Sequence, residues 1–277
     1  MGETILYLQT ETSEFMMSIV LQTAAGNAVV IDGGRPEDMP LLRELVGASP
    51  IKAWIMTHPH LDHITGLTEL IRTDDHTLAP EKIYYNFPTL SFMEETEPEE
   101  AWTLREFLEV EDRIADRAVI LREGDHFAVD ELSFTVLQSW DPENPIAPRY
   151  IGAENSTGNE NSLVFRIDTP GKSVLILGDA GPLAGDRLME RHWQDLQADI
   201  VQMAHHGHSG VGAEVYLMAN PRACLWCCAD WLYNEAPVCF GDRLWGTVMQ
   251  RKWMERMGIT KHYVTGEGTH RIVLYKQ

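Results

Sequence analysis

The sequence is short of cysteine, of basic side chains and of long apolar runs, and each shortage excludes something. Its 277 residues include four cysteines, Cys224, Cys227, Cys228 and Cys239. The first three lie in Ala-Cys-Leu-Trp-Cys-Cys-Ala, which reads as a buried strand. A structural zinc site takes about four ligands, typically from a second knuckle, and none is present. Buried, reduced thiols are therefore expected. No run approaches the roughly 18 apolar residues of a membrane span. Residues 1–10 place no basic region ahead of an apolar one, as a signal peptide would. The expected location is cytoplasmic, with no membrane partner. Lys and Arg number 22 against 42 Asp and Glu, a formal charge of −20. Such a surface repels phosphate backbones, so nucleic acid is not an expected partner and a small-molecule substrate is. Bound divalent cations would reverse the sign locally and admit a small anion.

What the chain does have is concentrated at residues 53–66. An apolar run that reads as a buried strand ends in His58, His60, Asp62 and His63, three histidines and an aspartate within six residues. Imidazole and carboxylate suit zinc, manganese and iron. In an extended segment His58 and His60 point to the same side, because side chains alternate. A helix beginning near Leu61 would turn Asp62 and His63 toward a neighbouring point, so one segment could feed two adjacent metals.

The rest of the chain supplies a frame for that segment. Residues 4–10, 16–23 and 28–31 read as a strand meander ending at Asp32-Gly33-Gly34, where glycine permits unusual backbone angles. Met39, Leu42, Leu45 and Val46 have helical spacing, and a second helix is expected over about 62–72. The acidic run 94–100 reads as the solvated N-terminus of a helix. The second half repeats the pattern: strands near 118–121, 132–137, 162–167 and 173–177, then helices and strands in alternation. Helices are expected near 182–197, 212–219 and 242–257, with strands near 199–204, 222–228, 259–264 and 271–276. A strand meander followed by alternation, occurring twice, implies an α/β fold of two sheets sandwiched between helices. No linker divides it, so residues 1–277 are expected to form one domain.

Two further strands end as the central one does. One stops at Gly178-Asp179, the other at His205-His206-Gly207-His208. Ligands at the ends of several buried strands can converge on one rim held by a rigid sheet. In this order, His58-x-His60-x-Asp62-His63, Gly178-Asp179 and His205-His206-Gly207 resemble the motifs of the metallo-β-lactamase superfamily. Val29-Val-Ile-Asp-Gly-Gly34 is similar to the start of that fold. The His-His-Gly ending and Asn161-Ser162-Leu163 resemble the hydrolase domain of competence (DNA-uptake) proteins, and also phosphorylcholine esterases.

The resemblance implies an αββα sandwich, two mixed β-sheets flanked by helices, with one or two divalent metal ions at one edge. Zinc is the expected ion, with manganese or iron as alternatives. One metal would take His58 and His60, the other Asp62 and His63, with Asp179 bridging and His205 or His206 completing the second. Many relatives carry another histidine before the strand that precedes Asp179. No histidine occurs here between 127 and 191; Asn159, Glu160 and Asn161 occupy that neighbourhood. The first metal would then be completed by Asn161 or water. Competence-type domains also begin with Gly-Gln-Gly-Asp-Ser where this chain has Phe15-Met16-Met17-Ser18, which together with the charge counts against DNA cleavage.

Two divalent metals roughly 3.5–4 Å apart can hold a bridging water and lower its pKa toward neutrality. The resulting metal-bound hydroxide would attack a phosphoester or another ester-like centre, with a metal steadying the oxyanion. Hydrolysis is the expected activity, and the resemblance adds a proton-accepting role for Asp62. His208 is a candidate proton donor to a leaving group, and His270 a candidate from a rim loop. Trp140, Tyr150, Trp231 and Tyr233 are candidate pocket residues, while Trp102 and Trp253 read as core. Alternative readings are a metal-binding sensor with little turnover, a competence-type nuclease or phosphodiesterase, and an oxygen-using di-iron redox protein.

Overall fold

The computed structural model describes residues 2–147, 156–234, 238–240 and 243–276. Its first half builds one sheet. Strands β1 (Glu3–Leu8), β2 (Ser18–Gln22) and β3 (Ala28–Asp32) form an antiparallel meander. β4 (Ile51–Ile55), β5 (Ile83–Tyr85) and β6 (Ala118–Ile120) then add in parallel. Between them run α1 (Met39–Val46), α2 (Leu61–Arg72), α3 (Leu90–Thr96) and α4 (Ala101–Leu108).

The second half builds a matching sheet. β7 (His126–Val129), β8 (Leu132–Gln138), β9 (Val164–Asp168) and β10 (Ser173–Ile176) are antiparallel neighbours. The short α5 (Thr157–Glu160) precedes β9, and α6 (Pro182–Arg191) follows β10. β11 (Ile200–Gln202), α7 (Ala213–Ala219), β12 (Ala223–Trp226), α8 (Asp230–Asn234), the hairpin β13 (Val238–Phe240) and β14 (Arg243–Trp245), α9 (Val248–Arg256) and β15 (His262–Val264) complete it. The last strand, β16 (His270–Lys276), crosses back to pair with β1. The two seven-stranded sheets thus run β16-β1-β2-β3-β4-β5-β6 and β15-β12-β11-β10-β9-β8-β7.

Side-chain alternation explains why these strands carry apolar residues on both faces. In β3, Val29 and Ile31 enter the core between the sheets, with Ile19, Ile55, Phe134, Phe165 and Ile176. Ala28 and Val30 point the other way, against Leu42, Ile64, Leu67 and Phe107 of the helical layer. The second sheet repeats this, with Leu175, Val201 and Cys224 packed against Leu188, Val215 and Met254. A sheet sandwiched between another sheet and helices has no solvated face, so its strands need near-continuous hydrophobicity. The result is the four-layer αββα order that the sequence pattern implies.

Trp54, in β4, ties that strand to the end of β3. It is fully buried, and its indole Nε1 donates to the Asp32 carbonyl at 2.5 Å. Trp54→Ala should cost about 3–5 kcal/mol through lost packing and a cavity, lowering Tm by roughly 10 °C in a thermal melt. A fall of only a degree or two would show that the layer can collapse onto the gap.

Some sequence expectations need correction. The expected helix 242–257 is instead strand β14 followed by α9, because Gly246 and the capping position Thr247 intervene. The helix from 182 stops at Arg191 rather than 197. Trp102 is 40% exposed instead of core, and Trp253 is half-buried. Cys224, Cys227 and Cys228 are free and buried, while the Cys239 side chain lies outside the described residues. Among the described residues, no helix is long and apolar enough to cross a membrane.

Candidate metal centre

The site forms where parallel strands end, the place at which open α/β sheets leave a crevice. Asp32 closes β3, and Thr57 to His60 follow β4. Asp62 and His63 occupy the first turn of α2, where a carboxylate also suits the positive end of the helix. Gly178-Asp179 follow β10, and His205-His206-Gly207 make a tight turn after β11. That turn holds three successive left-handed residues, with φ of 51° at His205, 55° at His206 and 81° at Gly207. Asp32 is left-handed as well, at 59°. Strained backbone of this kind persists only where surrounding structure over-determines it. Here the His205 amide donates to the Gly178 carbonyl at 3.1 Å, tying two of the ligand-bearing loops together.

Five side chains converge at this rim: His58, Asp62, His63, Asp179 and His206, each at least nine-tenths buried. His206 Nε2 lies 3.0 Å from Asp62 Oδ2 and 3.3 Å from Asp179 Oδ2. His63 Nε2 lies 3.6 and 3.4 Å from the same two oxygens, and His58 Nε2 3.8 Å from Asp179. Ligands about 2.0–2.2 Å from a zinc ion stand roughly 3–3.5 Å from one another. The spacing therefore suits a cation at the centre, and both overlapping trios, His58/His63/Asp179 and Asp62/His63/His206, are compact enough to hold one.

The hydrogen bonds behind the imidazoles decide how the rings present themselves. Asp32 accepts from the Thr57 amide at 2.7 Å and from the Thr57 hydroxyl at 2.9 Å. It also faces His63 Nδ1 at 2.8 Å. An ionised carboxylate only accepts, so the proton sits on His63 Nδ1. The Thr57 hydroxyl has given its hydrogen to Asp32, so at 3.0 Å it accepts from His58 Nδ1. His206 Nδ1 donates to the Cys227 carbonyl at 2.6 Å. All three rings thus turn an Nε2 lone pair inward, and those three Nε2 atoms and Asp179 Oδ1 have no hydrogen-bond partner. Buried acceptors facing acceptors are costly unless a cation joins them.

Charge balance points the same way. Burial opposes ionisation of Asp179, yet His206, His63 and His58 outweigh it and hold its pKa well below the carboxylate range. Burial likewise opposes charge on His206, but Asp179 and Asp62 raise its pKa to about 10, so that without a cation a proton occupies the Nε2 position that a cation would take. The two carboxylates call for two positive charges, which one divalent ion supplies.

Asp32 was outside the candidate ligands; its signal was the Asp-Gly-Gly step at a strand end. Since it orients His63, Asp32→Asn should weaken zinc binding about 10–100-fold. A chelator-competition titration would read this, and unchanged affinity would reduce Asp32 to a structural role.

The structure separates the remaining candidates. His60 does not join the five; its Nε2 lies 3.2 Å from Glu97 Oε1. His206 faces the cluster, whereas His205 Nε2 stands 3.2 Å from Asn159 Nδ2 and its ring packs on His208 at 4.1 Å. Burial first, then the neighbouring imidazoles, push the pKa of His208 down to about 2, which disfavours the expected role as an imidazolium donor. His208 and His205 do line the cleft above the cluster, with Phe15, Arg35, His60, Glu97 and Asn159 around a volume of about 160 Å³. His270 is not among the lining residues; its Nε2 faces the Val264 carbonyl at 2.7 Å. Asn161 cannot complete a metal, because its amide exchanges hydrogen bonds with Ile146 and donates to the Thr157 carbonyl. Glu160 accepts from the Ala184 amide at 2.7 Å, near the start of α6. Trp140 packs on Phe92, Tyr233 packs on Trp226, and Trp231 meets the cleft-lining Phe15 edge-on at 6.4 Å between ring centroids. Tyr150 lies outside the described residues.

Comparison with known proteins places this geometry in a known fold. A model of the Metallo-beta-lactamase superfamily matches residues 15–141, the part of the chain that carries the His-x-His-x-Asp-His segment. The fold is that of the metallo-β-lactamase superfamily. The metallo-β-lactamase fold protein YhfI from Bacillus subtilis superimposes with a TM-score of 0.55 at 11% identity, covering 97% of this chain and 99% of that one. CmlA, a di-iron β-hydroxylase from Streptomyces venezuelae, gives 0.59 at 11% identity over 99% of this chain and 55% of its own. A diphosphatase of the PhnP family gives 0.52 at 14% identity over 99% of both. At such identities the likeness is one of metallo-β-lactamase fold. The uncharacterized protein YcaI of Escherichia coli (strain K12) is 38% identical over 53 residues. That stretch is 19% of this chain and 7% of YcaI, so the chain matches less than a tenth of that relative's length.

Proposed function

We propose that this protein is a metal-dependent hydrolase acting on a small phosphoester or other ester-like substrate. The observation that carries the reading is the set of buried Nε2 lone pairs of His58, His63 and His206 converging on the carboxylates of Asp62 and Asp179. A divalent cation held there supplies Lewis acidity, activating water and stabilising charge on a substrate oxygen. Asp62 and Asp179 set the charge of the site, and Asp32 and Thr57 keep the imidazoles aimed. The cleft limits the substrate to a small group, with Phe15 and Leu61 offering apolar contact and His205, His208 and Asn159 polar contact. Another fold neighbour, Tm1679, is itself described as a metal-dependent hydrolase of the β-lactamase superfamily; it covers 97% of this chain at 10% identity.

Metal-replete protein screened against phosphomonoester, phosphodiester, thioester and lactone probes tests the reading. Turnover of at least one is expected, and Asp62→Ala should reduce it by more than about 100-fold, beyond the cost of losing a supporting contact. Silence across the whole panel from metal-loaded protein would sink the hydrolase and favour a metal-binding sensor.

A further inference from the structure

Arg35 is the only Lys or Arg among the described residues that line the cleft, which it shares with Asp62, Asp179 and His206. It follows Asp32-Gly33-Gly34, whose aspartate faces His63 Nδ1, and its main chain is held on both sides. The Arg35 amide donates to the buried Asp38 Oδ2 at 3.0 Å, and the Gly34 carbonyl accepts from the Gly66 amide at 2.9 Å. Gly66 belongs to α2, the helix that carries Asp62 and His63, so the base of the Arg35 side chain is fixed relative to the central cluster. The side chain is only 14% exposed, yet its guanidinium is little used. Nη1 meets Glu14 Oε2 at 2.9 Å, and the Glu14 side chain is 63% exposed. A pair with so exposed a carboxylate is weak, because water screens it and two long side chains lose freedom to hold it. The other edge of the fork, Nε with Nη2, makes no hydrogen bond among the described residues, and Nε is buried. A buried donor left without an acceptor is costly. Two parallel N–H groups on that edge match the oxygens of a carboxylate or phosphate.

We infer that Arg35 is an anion subsite, and that the substrate carries, apart from its scissile ester, a carboxylate or phosphate that Nε and Nη2 hold side-on. The inference rests on the reading of the His58/Asp62/His63/Asp179/His206 cluster as the cation site of a hydrolase. Charge explains why the second group goes to Arg35. Glu99 and Glu100 also line the cleft and repel anions, while Glu97 is paired with His60. The central cation and Arg35 are therefore the two places among these residues that stabilise negative charge. Glu14 occupies the guanidinium in the free protein, and its exposure lets it turn out into water when substrate arrives. The subsite selects esters that bear a free oxyanion over neutral esters of the same size, in spite of the chain's charge of −20.

Calorimetric titration of metal-loaded protein with alkylphosphonates, each beside its carboxylate-bearing counterpart, tests this without turnover. The pairs are methylphosphonate with phosphonoacetate and ethylphosphonate with 3-phosphonopropionate, which sample the reach to Arg35 at two lengths. In at least one pair the carboxylate should tighten binding by about tenfold or more, the size of a hydrogen bond to a charged group. Arg35→Gln should erase that advantage while metal content stays at the wild-type value. Arg35→Lys should recover only part of it, since it keeps the charge but not the fork. Glu14→Gln, made on the exposed partner, removes the competing carboxylate and should widen the advantage, which decides the matter if the Arg35 variants fail to fold. Alkylphosphonates that bind with no gain from the carboxylate would overturn the inference and leave the central site standing. So would a gain that survives in Arg35→Gln, or one that Glu14→Gln leaves unchanged. No binding of any phosphonate to metal-loaded protein would remove the phosphoester reading as well.

Discussion

Asp179→Ala is expected to leave the central cluster unable to retain a divalent ion. Asp179 Oδ2 is the atom closest to common ground, within 3.3–3.8 Å of the Nε2 atoms of His206, His63 and His58. If about 10–16 kcal/mol of zinc binding is shared among about four ligands, each carries about 3 kcal/mol, or more than 100-fold in affinity. Loss of Asp179 removes that and also leaves three imidazoles without the carboxylate that gathers them. Wild-type protein at about a thousandfold excess of metal over Kd should gain roughly 4 kcal/mol of stability, and a chelator should reverse the gain. Asp179→Ala should show neither response in a thermal melt, and its metal content after dialysis should fall to background. The matched control is His205→Ala. Because His205 faces Asn159 and His208, its removal should leave the central ion in place. If His205→Ala empties the site and His206→Ala does not, the arrangement of the turn is wrong.

The contrast between those two histidines marks the limit of what the sequence discloses. The ends of buried strands were visible as abrupt changes from apolar to ligand-type residues, which placed His58, Asp62, His63 and Asp179 on one rim. Alternation and helical spacing were enough for the layers, because both faces of each sheet are covered and their patterns persist through the chain. His205 and His206 could not be separated, since their orientations depend on left-handed backbone angles that no periodicity encodes. The choice is made by a distant partner, the Cys227 carbonyl, which takes the His206 Nδ1 proton.

His60 depends on a distant partner in the same way. His60 is extended and its ring lies beside that of His58, 4.6 Å between centroids, as alternation implies, but its Nε2 faces Glu97 and not the five converging side chains. Glu97 itself belongs to a run that reads as solvated surface. Glu94, Glu95 and Glu99 are exposed as expected; Glu97 is not, because the turn after α3 folds it beneath Gly158. Contacts made across sixty residues of chain leave no local trace. Trp102 errs in the other direction: it reads as core, but it lies on the outer side of α4 while Leu104 and Phe107 face inward.

Gly207→Ala should be the most damaging small substitution at the site. Gly207 has a φ of +81°, so an alanine there meets a left-handed penalty of about 1–2 kcal/mol. Its Cβ would also lie 2.4 Å from Trp226 Cε3 and 2.5 Å from Cζ3. Trp226 cannot swing aside: it is fully buried, and its Nε1 donates to His262 Nδ1 at 3.0 Å. Overpacking of this kind adds about 1–3 kcal/mol. The clash can also be relieved by shifting the turn, which would carry His206 away from Asp62 and Asp179. Gly258 separates the two contributions, since it has a φ of +75° and nothing within 4 Å of its would-be Cβ. Gly258→Ala should therefore show the backbone penalty alone and bind metal as the wild type does. Gly207→Ala should lose more stability than Gly258→Ala and bind the central ion more weakly. Equal losses in denaturant melts, with equal metal affinity, would mean that the indole yields and that the turn does not depend on glycine to aim His206.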